Sequence, residues 1–144
     1  MSREKLVVIG AGMASGRLLE RLTDADAPYD ITLINAEPRG NYNRLMLSPV
    51  LAWEKTYAEI VTHDDAWYAA RGSETRFGER VEEIDLAARQ IVSGGAVLGY
   101  DKLVIATGSP PFMIPLPGYD LEGVIAYRDL EDTERMMGLG EGTR

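Results

Sequence analysis

Hydrophobic residues fall into three kinds of run along this chain, and each kind predicts a different element. Leu6-Val7-Val8-Ile9 is unbroken and apolar, as suits a parallel strand covered on both faces. It leads through Gly10-Ala11-Gly12 into a stretch where Ala14, Leu18 and Leu22 recur at helical spacing, so a helix is expected from Met13 to about Asp24, closed by Ala25-Asp26-Ala27-Pro28. Asp30-Ile31-Thr32-Leu33-Ile34-Asn35 is again β-branched and apolar, which completes a right-handed βαβ unit. Gly40 to Pro49 reads as a loop entering a short helix, with Pro49 a local stop or kink. His63 to Gly72 reads as a capped helix with two aspartates in its first turn, and in it Trp67 and Tyr68 are packing residues.

From Glu74 the period shortens. Thr75–Gly78 is a short strand. Val81–Asp85, Arg89–Ser93 and Ala96–Tyr100 alternate and are separated by short turns, which predicts an antiparallel meander. Lys102-Leu103-Val104-Ile105-Ala106 returns to the fully apolar type and re-enters the central sheet. Beyond it, Phe112–Asp120 should be extended, Val124–Tyr127 a short strand, and Asp129–Met137 a helix; Gly138–Arg144 has linker composition. The class that results is α/β: a Rossmann-like, three-layer domain with a parallel sheet and an antiparallel β-meander.

Composition narrows the chemistry. With 144 residues, 45% hydrophobic and 26% charged, the chain suits one soluble domain with its own core. It has no run of membrane-spanning length and no signal peptide, so a cytoplasmic location without membrane contact is expected. The absence of cysteine excludes a disulfide framework, a thiol redox pair and any thiolate-held metal within this stretch, and one histidine, His63, makes no metal site. The net charge of -8 argues against a nucleic-acid partner.

The candidate chemistry lies at the first turn. Gly10 permits a tight turn, and Gly12 lets a pyrophosphate approach the backbone. The helix that follows aims its free N–H groups, and the positive end of its dipole, at that anion. The G-x-G-x-x-G pattern fails by one place, because Ser15 takes the third position and Gly16 follows; Gly16 could supply the small residue for close helix–strand packing. Glu37, 25 residues after Gly12 and just past the second strand, is placed to accept hydrogen bonds from ribose hydroxyls, the expected spacing being about 20. Arg39 beside it could instead take a 2′-phosphate, which would favour NADP. Arg44 is a candidate for a phosphate or adenine contact, or for a surface salt bridge.

Tyr100-Asp101-Lys102-Leu103-Val104-Ile105-Ala106-Thr107-Gly108-Ser109 resembles the FAD-dependent pyridine nucleotide oxidoreductases. Ile9–Met13, Glu37-Pro38, Tyr42–Ser48, Gly78–Asp85 and Tyr127–Asp132 share the likeness, in the right order over nearly the whole chain. Within that family it looks most like the N-terminal flavoprotein region of NAD(P)H-dependent nitrite reductase large subunits, with rubredoxin and ferredoxin reductases close by. The resemblance implies that Gly10, Gly12, Met13 and Ala14 lie along the FAD pyrophosphate and Glu37 holds the adenosine ribose. Arg44 and Ser48 would approach the phosphates and the flavin side, Val81 the adenine through its backbone. Ala106, Thr107 and Gly108 would pass beneath the cofactor, with Arg128 near that loop. Ser15 departs from the usual third glycine. Pro49 stands where rubredoxin reductases usually carry a lysine.

The resemblance further implies a fragment. Residues 1–137 would be the N-terminal part of an FAD-binding domain, and 138–144 a linker toward an NAD(P)H-binding unit. FAD and the missing remainder of the chain would be its partners, self-association is open to it, and the segment alone would be inactive. No general acid, base or nucleophile and no metal ligand is expected. In the parent enzyme electrons would pass from NAD(P)H through FAD to a downstream redox centre in nitrogen metabolism. A ferredoxin-type reductase, an NADP-binding dehydrogenase domain and a non-catalytic flavin module are the alternatives.

Overall fold

A computed structural model describes residues 3–139. It divides into two compact units. The first takes in residues 3–42 and 61–108 of the described chain, the second 43–60 and 109–139.

The first unit is built on strand β1 (Glu4–Ile9), whose apolar residues Leu6 to Ile9 are all buried. Helix α1 (Met13–Asp24) connects it to β2 (Tyr29–Asn35), which lies parallel beside it. β3 (Glu74–Phe77) adds to the far side of β2, and β7 (Lys102–Ile105) to the far side of β1, both parallel, so the strand order is β3-β2-β1-β7. The short strand at Glu74 is thus the edge of the parallel sheet and not part of the meander. Asp101 sets the register of β7: its carboxylate accepts from Lys5 N–H (2.7 Å) and its N–H donates to the Lys5 carbonyl (2.9 Å).

Successive residues of a strand point to opposite faces, and here each face has its own cover. Leu6, Val8 and Leu33 pack with Leu19 of α1 and with Tyr68 of helix α4 (Asp65–Ala70). Val7, Ile9 and Ile34 pack with Ile91, and Val81, Ile84 and Leu98 join them. Those residues come from the antiparallel meander β4 (Val81–Asp85), β5 (Gln90–Ser93) and β6 (Ala96–Gly99). The three layers expected from the pattern are therefore present: helices, parallel sheet, meander.

The buried stripe of α1 is shifted by one position from the expected Ala14, Leu18 and Leu22. Ser15, Gly16 and Leu19 are buried, Leu18 and Leu22 are half-buried, and Ala14 is exposed. The helix turns its first-turn residues Met13 and Ala14 outward because the turn beneath them is anchored on the opposite side, as described below.

The second unit holds a 3-10 turn (Arg44–Met46), α2 (Leu47–Leu51), α3 (Tyr57–Ile60) and α5 (Leu130–Met137). Pro49 does not stop or kink its helix. It sits in the first turn of α2, where a residue without an N–H breaks no helical bond. α2 packs against α5, and Leu47, Val50, Leu130 and Thr133 are buried. Asp129 caps α5 in a reciprocal pair with Asp132: the Asp129 carboxylate accepts from Asp132 N–H (3.0 Å), and the Asp132 carboxylate accepts from Asp129 N–H (3.3 Å). Phe112 to Leu116, expected to be extended, is without regular structure: Leu116 N–H donates to the Ile114 carbonyl (2.7 Å), and turns follow at residues 117–120. The strand expected at Val124–Tyr127 does not form; the segment has no ladder partner among the described residues, and an apolar run without one is a loop. Of the expected linker, residues 140–144 lie outside the described residues.

Candidate functional site

The order β3-β2-β1-β7 reverses between β1 and β7, because the chain first builds outward on one side of β1 and later returns to the other. In open α/β sheets ligands bind beyond the carboxyl ends of the strands at such a reversal. Here the residues at that point are Gly10 after β1 and Ala106 after β7. Gly10 has φ +100°, and a Cβ on it would stand 2.4 Å from the Ala106 carbonyl oxygen and 2.9 Å from Thr107 Cα. Only glycine fits both the conformation and the crossing. Ala106 N–H donates to the Ile9 carbonyl (2.8 Å) and Gly10 N–H to the Ile34 carbonyl (2.7 Å), so the three strand ends are stitched together.

Gly12 is the N-cap of α1. No side chain caps this helix, no acidic residue sits in its first turn, and a Cβ on Gly12 would meet nothing within 4 Å. A helix start with uncapped amides beneath an open approach is what a pyrophosphate requires, so the residues fit that group. Met13 and Ala14 are exposed at the same spot.

Glu37 follows β2. Its carboxylate accepts from the buried Tyr42 hydroxyl (2.9 Å), which sets the direction of the side chain, and its carbonyl accepts from Gly78 N–H (3.0 Å). Glu79 N–H donates to the Asn35 carbonyl (3.1 Å), and Val81 stands two residues further on, at the start of β4. There the β4–β5 register shifts between Val81 and Glu83, as in a bulge. The first unit thus gathers Gly10, Gly12, Met13, Ala14, Glu37, Val81, Ala106, Thr107 and Gly108 at one end of its sheet. Arg39 is half-buried, its carbonyl held by Asn35 Nδ2 (2.7 Å).

The second unit brings together its own three candidates. Arg44 Nη1 donates to the Arg128 carbonyl (3.4 Å), Arg128 Nε to the Ser109 carbonyl (3.0 Å), and Ser48 Oγ shares a hydrogen bond with the Tyr127 hydroxyl (3.2 Å). Arg128 N–H donates to Asp132 Oδ2 (2.8 Å), so the capping carboxylate of α5 also fixes this loop.

Other readings of the sequence need correction. Gly16 does not serve helix–strand packing. A Cβ there would lie 3.1 Å from both Asn41 Nδ2 and His63 Cε1, so the small residue makes room for two side chains. Asp64 is the cap of α4, accepting from Trp67 N–H (2.7 Å), and only Asp65 lies in its first turn. His63 is more than a flank of that helix. It is buried, with Nε2 3.1 Å from Glu20 Oε1, Nδ1 3.1 Å from Thr62 Oγ1, and its ring edge-on to Trp67. Arg17 lies beside the same Glu20, and its hydrogen bond and charge, with the contact from His63, hold the carboxyl below the ordinary glutamate value. Asn35 and Asn41 carry no sequence signal, because a buried asparagine is spelled like an exposed one; Tyr42 lies in the stretch that carries the likeness, but nothing in its spelling marks its bond to Glu37.

A family model described as pyridine nucleotide-disulphide oxidoreductase matches residues 4–138. The chain belongs to the pyridine nucleotide-disulphide oxidoreductase family. Within it, the chain is 37% identical over 139 residues to nitrite reductase [NAD(P)H] of Bacillus subtilis, covering 95% of this chain and 17% of the relative. It is 36% identical over 143 residues to the assimilatory nitrate reductase electron transfer subunit of the same organism, 98% of this chain and 18% of the relative. Among solved structures it is similar to NADH:rubredoxin oxidoreductase from Clostridium acetobutylicum, with TM-score 0.82 and 25% identity over 94% of this chain and 35% of that one. The chain therefore spans under a fifth of the length of those two curated relatives. It has no cysteine, so the disulphide in the family's name has no counterpart in this stretch of the fold. Among the described residues no cluster of acidic residues and histidine stands as a metal site, and no helix is long and apolar enough to cross a membrane.

Proposed function

We propose that this chain is the FAD-binding part of an NAD(P)H-dependent flavoprotein oxidoreductase of the nitrite reductase large-subunit type. The observation that carries the reading is the uncapped start of α1 at the strand-order reversal, with open space over Gly12 and Glu37 at the end of the neighbouring strand. The amides of Met13 and Ala14 hold the pyrophosphate. Glu37, aimed by Tyr42, accepts the ribose hydroxyls. The bulged backbone at Val81 lies along the adenine, and the Ala106–Gly108 loop passes beneath the cofactor. Arg44, Ser48 and Arg128 enter on the family likeness, toward the phosphates and the flavin. When bound, the flavin supplies hydride acceptance from NAD(P)H and onward release of single electrons; the protein orients it and shields it from water.

The relatives support the nitrite reductase assignment over a rubredoxin reductase by identity, and Pro49 after Ser48 points the same way. An absorption spectrum of the purified intact protein tests the reading. Flavin bands near about 450 nm that bleach anaerobically with NAD(P)H are expected. A colourless protein that binds NADP alone would favour the dehydrogenase alternative resting on Arg39.

A further inference from the structure

The turn between β1 and α1 is gripped from behind by two asparagines. Asn35 Oδ1 accepts from Ala11 N–H (3.2 Å), so that amide is taken and faces inward. Asn41 Nδ2 donates to the Gly12 carbonyl at 2.6 Å and lies 3.3 Å from Ser15 Oγ, which itself donates to the Gly12 carbonyl (3.0 Å). The helical bond from Gly16 N–H (3.1 Å) completes the set on that oxygen. A carbonyl can only accept, so the Asn41 amide must present its nitrogen here. Its own oxygen accepts from the Tyr68 hydroxyl, and Asn41 N–H donates back to that hydroxyl (2.9 Å). Asn41, Ser15 and Tyr68 are all essentially buried.

A trans peptide is planar, and its C=O and N–H point in opposite directions. Gly12 C=O and Met13 N–H belong to one peptide. Pulling the carbonyl inward therefore turns the Met13 amide outward, to the open side above Gly12. We propose that Asn41 is a positioning residue: it fixes the Gly12–Met13 peptide so that Met13 N–H faces the pyrophosphate of the cofactor. Ser15, standing where the usual fingerprint has glycine, is the second grip on the same carbonyl. This inference rests on the FAD reading above.

The test uses the intact protein stripped of flavin and titrated with FAD, together with the 31P resonances of the bound pyrophosphate. Asn41→Ala is expected to bind FAD roughly three- to tenfold more weakly than wild type, the worth of one hydrogen bond. Its 31P signals should move toward those of free FAD. A residue that only supported the fold would lower thermal stability without moving those signals. Should Asn41→Ala fail to fold, Ser15→Ala gives the same reading with roughly a two- to threefold loss. Unchanged affinity and 31P shifts in Asn41→Ala, or in Ser15→Ala where that is the variant that folds, overturn the positioning of the Gly12–Met13 peptide by this grip and leave the FAD reading standing. A wild-type protein that takes up no FAD overturns the FAD reading, and this inference with it.

Discussion

Gly10 shows how little freedom a single position can have. Its positive φ and the Ala106 carbonyl 2.4 Å from a hypothetical Cβ act together, so Gly10→Ala should destabilise the protein by at least about 1–3 kcal/mol from conformation alone, measured by denaturant unfolding. Tyr68→Phe should cost about 1–3 kcal/mol in the same measurement, because it strands the buried N–H and Oδ1 of Asn41. Glu37→Ala should leave the fold intact and weaken FAD binding by about 1.5–3 kcal/mol, read from a fluorescence titration; full flavin occupancy at limiting FAD would remove Glu37 from the site. Glycines and the acidic residue were legible from sequence because their spacing is the motif. The residues that hold them in place were not, since Asn35 and Asn41 act through burial that no local pattern encodes.

At the scale of elements, β1, β2, β7 and the meander follow from their hydrophobic period, and the reversal of strand order follows from the apolar run that returns at Lys102. An element is made by its partners. Val124–Tyr127 has strand-like residues but no neighbouring strand among the described residues, while Glu74–Phe77 joins the parallel sheet because β2 offers it an open edge. The cap of α5 is local and was readable: Asp129→Ala should cost about 1 kcal/mol in thermal or denaturant unfolding. The α1–α4 junction gives a pH dependence. Arg17, with the contact from His63, keeps the folded Glu20 carboxyl below its ordinary value, so it binds protons less readily than in the unfolded chain. That contribution is present above the ordinary glutamate value and is lost as pH falls through the folded one. Glu20→Gln should flatten the fall of melting temperature below about pH 4.

For the whole molecule, the likeness to nitrite reductases and the turn geometry meet at one place, the outward face of Gly12. The layers around it exist to hold that face: buried strands on both sides of β1 fix the strand ends, and the asparagines behind the turn fix its peptides. The measurement that tests this most directly is flavin content and FAD affinity of the intact protein carrying Gly12→Val. A Cβ at Gly12 touches no protein atom and φ there is ordinary, so the variant should keep its melting temperature while a branched side chain occupies the pyrophosphate's approach. The account predicts a folded protein without flavin. A Gly12→Val protein that purifies with stoichiometric FAD would contradict it.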